Sequence, residues 1–151
     1  MTIIEKAFKK ENYVEISFSF NSVGHPVIPF TINNTTAVFL LDTGAACNVL
    51  DIEFAQRLGM PLISTGEKGG GAGGLIHDIH STGAVTFFYE NIKFSFDEFY
   101  AMNFESIKFA LTAKRVQEDF QGILGFEFFK QNSCFIDYSK NRIFVKPIKI
   151  E

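Results

Sequence analysis

From Asn12 to Phe20 the chain reads NYVEISFSF, with apolar and polar residues alternating. That places Val14, Ile16, Phe18 and Phe20 on one face and predicts a strand. NSVGHP breaks the pattern and VIPFTI resumes it as a second strand. NNTT then gathers residues that tolerate tight backbone angles and marks a turn. The next run, AVFLLD, is apolar on both faces, as a strand buried on both sides must be. After Leu50 the period changes. Ile52, Ala55 and Leu58 recur at helical spacing, with Asp51 at the N-cap and Gly59 at C′.

Farther along, LIHDIH, AVTFFY and IKFSFDEF read as three strand segments, separated from the first half by polar STGEK and a glycine-rich stretch. Ile107, Ala110 and Leu111 suggest a helix from Glu105 to about Arg115. The segment FQGILGFEFFKQNSCFIDYSKNRIFVK runs strand, tight glycine, short helix and hairpin, with YSKNR as the turn. The final RIFVKPIKI alternates. It reads either as a strand added across a dimer or as an ordinary edge strand blunted by Pro147 and lysines. Together these elements predict an all-β fold, mostly β with two or three short helices, in a single domain over residues 1–151. One internal likeness stands out. FLLDTG and GILGFEFF share a grammar of apolar strand, small-residue turn and helix, with Gly125 where the first copy has Asp42, so two similar halves can fold about a local pseudo-two-fold.

Composition adds bounds. A chain of 151 residues with 46% apolar and 21% charged residues can bury a real core. A formal net charge of -3 argues against nucleic-acid and anionic-membrane surfaces as partners. No apolar run approaches the ~20 residues of a membrane-spanning helix. The opening MTIIEKAFKKENYVEISF has no apolar core of a signal peptide, and two cysteines make no disulfide framework, so a cytoplasmic location is expected. Nineteen phenylalanines and no tryptophan predict a core built on flat aromatic packing.

The candidate chemistry sits at FLLDTGAACNVL, where a buried strand ends on Asp42. An isolated carboxylate is costly to bury, so it needs partners or a task. Thr43 offers a hydroxyl, and Gly44 lets the backbone bend and aim an N–H at the carboxylate. Cleaving an amide by acid–base chemistry requires a proton acceptor and a proton donor together. Two carboxylates about 3 Å apart supply both by sharing one proton. Asp-Thr-Gly occurs once, and Asp51, Asp78, Asp97, Asp119 and Asp137 all lie in other settings. The second acid must therefore come from another copy, and a two-fold axis sets a residue against its own mate.

FLLDTGAACNVL, GGGAGGLI and GILGFEFFKQNSCFIDYSKNRIFVK together resemble the retropepsin-like aspartic proteases, in particular their bacterial single-domain type. The resemblance spans Tyr13 to Lys146. It implies a retropepsin-like acid protease barrel with a pseudo-two-fold half-barrel per chain, a homodimer, a peptide or protein substrate, and no metal or organic cofactor. It also implies that Asp42 is catalytic, that Thr43 braces the two active-site loops across the dimer, and that Gly44 supplies backbone support. Ala45, Gly71, Ala72, Gly73 and Gly74 are expected to contact substrate, the last four as the tip of a flap closing over it. Two departures stand beside the likeness: Ala46 replaces a residue that is commonly polar or acidic in the family, and the flap is rich in glycine and short of aromatics.

Rival readings use some of the same residues. A catalytically silent dimeric peptide-binding or scaffold module of this fold predicts binding without turnover. Residues 69–74 formally fit G-x-G-x-x-G, but a nucleotide loop needs a strand before it and a helix after it, and here polar STGEK precedes and β-like LIHDIH follows. His77 and His80, three apart on a strand, point to opposite faces and make a poor zinc pair with Cys47 and Cys134. Cys47 reads as a small side chain packed behind the Asp42 loop rather than a nucleophile. On the protease reading the pH optimum is acidic to near neutral.

Overall fold

The computed structural model describes residues 1–70, 76–105, 107 and 120–148. In chain order the elements are α1 (Ile3–Lys10), β1 (Val14–Ser17), β2 (Ser19–Phe20), β3 (Pro26–Ile32), β4 (Thr35–Leu41), β5 (Val49–Asp51) and α2 (Ile52–Arg57). They continue as β6 (Ile63–Gly70), β7 (Ile76–Tyr89), β8 (Ile92–Met102), β9 (Gly122–Leu124), α3 (Phe126–Gln131), β10 (Phe135–Asp137) and β11 (Arg142–Val145). One sheet has the order β2-β3-β4-β9-β5-β8-β7-β6, and β3 also pairs with β7 through Thr31 and Phe88. Strands β3, β4, β9, β5, β8 and β7 thereby close into a six-stranded barrel. A second, three-stranded sheet has the order β1-β11-β10.

The strands that carry the site lie side by side. β9 runs parallel to β4, with Phe39 opposite Gly122 and Leu41 opposite Leu124, and antiparallel to β5. β4 and β5 are consecutive in the chain, yet β9 is inserted between them. Apolar side chains leave both faces of this trio. Phe39, Leu41, Leu50 and Leu124 enter the barrel core, while Leu40, Val49 and Ile123 join an outer cluster with Met102, Phe104, Ile107 and Phe120. That two-sided burial is why AVFLLD shows no alternation. The core is aromatic: Phe87 stacks on Phe39, Phe94 and Phe96 and meets Phe30 edge to face. Burying each such ring contributes roughly 1.5–3 kcal/mol.

Several local expectations hold. Asn33 and Asn34, at φ 48° and 59°, make the tight turn from β3 to β4. Gly59 at φ +71° follows the C-cap of α2. Others change. NYVEISFSF is two strands in two sheets, and its Phe20 is exposed. Asp51 occupies the N-cap position of α2 without a side-chain cap bond, its Oδ1 accepting instead from the Phe104 N–H. IHDIH and AVTFFY belong to one strand, with register shifts against β8 on either side of Gly83. STGEK lies inside β6, pairing with β7. The glycine-rich stretch is therefore preceded by a strand but followed by another strand, which still excludes the strand–loop–helix of a nucleotide site. Of the helix expected after Glu105, only Glu105 and Ile107 fall within the described residues, both helical.

β11 is the middle strand of its sheet, not an edge, so both sides of it are already paired within the chain. α1 was not anticipated, although Thr2-x-x-Glu5 is a capping box and forms as one. Glu5 also helps fasten α1 to this sheet. The buried Arg142 guanidinium donates to Glu5 at 2.7 Å, Glu15 at 2.6 Å and Asp137 at 2.8 Å, and lies 4.8 Å from the Phe144 ring centre. Phe8 of α1 stacks on Phe144 at 4.1 Å.

The Arg142 hydrogen bond holds the Glu5 carboxyl down at about 2, and the Ser139 hydroxyl and Arg142 do the same for Asp137. Both groups bind protons less readily folded than unfolded. Their stabilisation is present above about pH 4.5 and is lost as pH falls towards 2. Arg142→Met should therefore melt well below the parent protein at pH 6. The gap should narrow steadily between pH 4.5 and 2 in thermal scans across pH.

Candidate active site

Asp42 is the first residue past β4, and residues 42–48 form the loop that carries the chain from β4 to β5 across the end of β9. Its backbone is fixed from both sides. The Asp42 N–H donates to the Leu124 carbonyl at 3.0 Å, and the Asp42 carbonyl accepts from the Ala45 N–H at 3.0 Å. The carboxylate is half-buried, and its Oδ1 accepts from the Gly44 N–H at 2.9 Å. A Cβ on Gly44 would lie 3.2 Å from that oxygen. Glycine here lets the peptide approach closely enough to orient the acid. Thr43 and Gly44 are exposed and Ala45 is half-buried.

Across the β4–β9 ladder the residue after Leu124 is Gly125, so a glycine stands beside the acid. A Cβ at Gly125 would meet the Cys47 carbonyl at 2.5 Å and the Ala45 carbonyl at 2.7 Å. Both obstacles are backbone of the Asp42 loop. The Phe126 N–H donates to the Ala45 carbonyl at 2.9 Å, and the buried Gly125 N–H donates to Asn48 Oδ1 at 2.8 Å. The Asn48 N–H in turn donates to Glu127 Oε2 at 2.9 Å. On the β4 side, Gln121 Oε1 accepts from the Val38 N–H at 2.7 Å. Asn48, Gln121 and Glu127 escaped the sequence reading. Their partners lie 77 to 83 residues away along the chain, and only Asn48, a polar residue opening an apolar strand, carries any local signal.

The remaining candidates fall as follows. Gly71, Ala72, Gly73 and Gly74 lie outside the described residues. The hairpin leading to them is described up to the Gly70–Ile76 pair. Both cysteines are free. Burial and then the Glu127 charge push the Cys47 thiol up, and burial takes Cys134 to about 12, so neither is a thiolate near neutrality. His80 sits on β7 opposite Ser64 and Ala101, and among the described residues no three His, Cys, Asp or Glu side chains gather at a metal-binding distance. No helix among the described residues is long and apolar enough to cross a membrane.

Gly125 has φ -120°, which any residue can adopt, so the contact alone penalises a side chain there. Gly125→Ala should lose about 1–3 kcal/mol in chemical denaturation, because rigid backbone must give way. Gly24→Ala, a turn glycine at φ +87° with open space around it, supplies the comparison for a purely conformational penalty.

The aspartyl protease family profile matches residues 28–128, which include β4, the Asp42 loop and β9. No curated protein matches the chain. Among solved structures, a retropepsin-like aspartic protease from Rickettsia conorii superposes with a TM-score of 0.60 at 21% identity, covering 89% of this chain and 92% of that one. The retroviral protease-like domain of Ddi1 from Leishmania major gives 0.57 at 18% identity, with coverage of 82% and 90%. The EIAV protease complexed with the inhibitor HBY-793 gives 0.50 at 22%, with coverage of 74% and 91%. These likenesses support the barrel and its unusual strand order, and with the profile match they show that this chain belongs to the aspartyl protease family and has the retropepsin-like fold.

Proposed function

We propose that the protein is a homodimeric aspartic endopeptidase in which Asp42 from each of two copies activates one water. The observation that carries this reading is that Asp42 and Gly125 are the residues that follow the last pair of the β4–β9 ladder, Leu41 and Leu124. The place where the same chain could put a second acid is held by a glycine, and a side chain there would press on the carbonyls of Ala45 and Cys47. One subunit then provides half of an acid–base pair, and a two-fold contact at the loop provides the rest. The half-buried, oriented carboxylate of Asp42 suits this task, and exposed Thr43 is placed to brace a second loop.

An extended peptide would lie over the loop, contacting Ala45 and adding a strand beneath the β6–β7 hairpin. Residues 69–74 would close over it as a flap and exclude water. The first carboxylate takes a proton from water as it attacks the peptide carbonyl. The second gives its proton to the departing nitrogen.

Asp42→Asn should lower kcat on a peptide library by at least about a hundredfold while the protein stays folded. Mixed subunits test the shared site. When equal amounts of parent and variant are co-refolded, about a quarter of randomly paired dimers keep two Asp42 residues, so activity should fall to about a quarter. Retention of about half would show that single chains work alone, and peptide binding without any turnover by the parent would mark a binding module.

A further inference from the structure

Asn48 is the last residue of the Asp42 loop and is 1% exposed. Its main chain is already satisfied as part of the sheet: the carbonyl accepts from the Tyr100 N–H at 3.2 Å, and the N–H is taken by Glu127. An apolar side chain would serve the packing equally well, as Val49 and Leu50 do next to it. Only an acceptor oxygen, however, can take the Gly125 N–H, which is buried beneath the loop and bonded to Asn48 Oδ1 at 2.8 Å. The other half of the Asn48 amide is a liability. Its Nδ2 is buried with no hydrogen-bond partner among the described residues. A buried, unpaired donor weakens a fold, and groups kept at a cost to stability concentrate where geometry serves function.

We propose that Asn48, seated by Glu127, is a positioning residue that clamps the Asp42 loop to Gly125 and so fixes where the Asp42 carboxylate stands. The clamp closes a ring of contacts around the acid. The loop is tied to the β9–α3 segment at its start by Asp42 and Leu124, in its middle by Ala45 and Phe126, and at its end by Asn48 with Gly125 and Glu127. Removing the last tie leaves the loop's far end held only through β5 and the Tyr100 N–H, with no bond to the β9–α3 segment. The link from this clamp to catalysis rests on the protease reading above. The clamp itself does not.

Two readouts separate those levels. In Asn48→Leu, kcat should fall at least about tenfold with KM within about twofold, because the loop loses its set without losing substrate contacts. Amide exchange of Gly125, followed by NMR, should speed up by a similar factor while core amides such as Phe87 keep their protection. Asn48→Thr keeps an acceptor oxygen and removes the orphaned donor. It should recover most of the lost kcat and of the Gly125 protection and melt no lower than the parent. Glu127→Leu, at a half-buried position, should speed exchange of the Asn48 amide and lower kcat in the same direction; it carries the test if Asn48→Leu does not fold. Parent-like kcat and Gly125 exchange in a folded Asn48→Leu, or parent-like values throughout in Glu127→Leu, would overturn the clamp. If the parent cleaves no peptide, the protease reading fails on its own and the exchange data alone decide the clamp.

Discussion

The whole arrangement depends on one close approach: the loop that begins at Asp42 must cross the end of β9, and Gly125 lies directly beneath it. Because β9 is inserted between the consecutive strands β4 and β5, the connecting chain has no other route. The carbonyls of Ala45 and Cys47 come so near that a methyl group would strike both. Close packing of backbone on backbone has a chemical consequence. It brings main-chain donors of the β9–α3 segment, which nothing else could reach, to the loop's acceptors. The Phe126 N–H is satisfied there, and the Gly125 N–H is paired rather than left buried and alone. The acid is held by the same hydrogen bonds that complete the fold.

Such a loop holds its shape only over a stiff platform, and the two-layer packing of β4, β9 and β5 supplies it. Phe39 and Leu41 anchor the trio inward, while Leu40 and Ile123 anchor it outward against Phe104 and Phe120. Even Gly122 is part of that packing, since the Phe39 ring lies where its Cβ would be. Rings stacked on Phe87 leave few ways to shift a strand without disturbing several neighbours. The termini contribute elsewhere. β1 and β11 pair with one another, and Arg142 fastens α1 over them, so the ends of the chain complete a sheet within the subunit. β11 is paired on both sides, and β1 and β10 are the edges of that sheet.

What could be read from the residues, and what could not, follows the range of the interactions. The strand to Asp42, the Asn33–Asn34 turn, α2 with Gly59 and the β10–β11 hairpin are local patterns, and periodicity and turn chemistry reveal them. The likeness between FLLDTG and GILGF sets Asp42 and Gly125 in matching positions, and each is the residue that follows the last ladder pair, Leu41 and Leu124. Polar STGEK, by contrast, shows no strand pattern because its own pairing is irregular, with three residues between Ser64 and Lys68 set against Ile79 alone on β7. NYVEISFSF looked like one strand because alternation persists through Phe18, where the chain changes sheets. Asn48 and Glu127 were silent because a hydrogen bond 79 residues long in sequence leaves no periodic trace.

That silence bears on how the site is distributed. The motif residues are those whose backbone must bend or whose side chain must react, and short patterns record both demands. The residues that hold the motif in place need only offer an oxygen at the right point, and many sequences can do that. Asn48 and Gln121 both do so, each accepting a backbone N–H from a neighbouring segment across the β9 insertion. They act in opposite directions: Gln121 ties β9 back to β4, and Asn48 ties the loop down onto its end. The end of this buried strand is thus marked twice, once by the acid it carries and once by side chains from elsewhere in the chain that tie it to its neighbours.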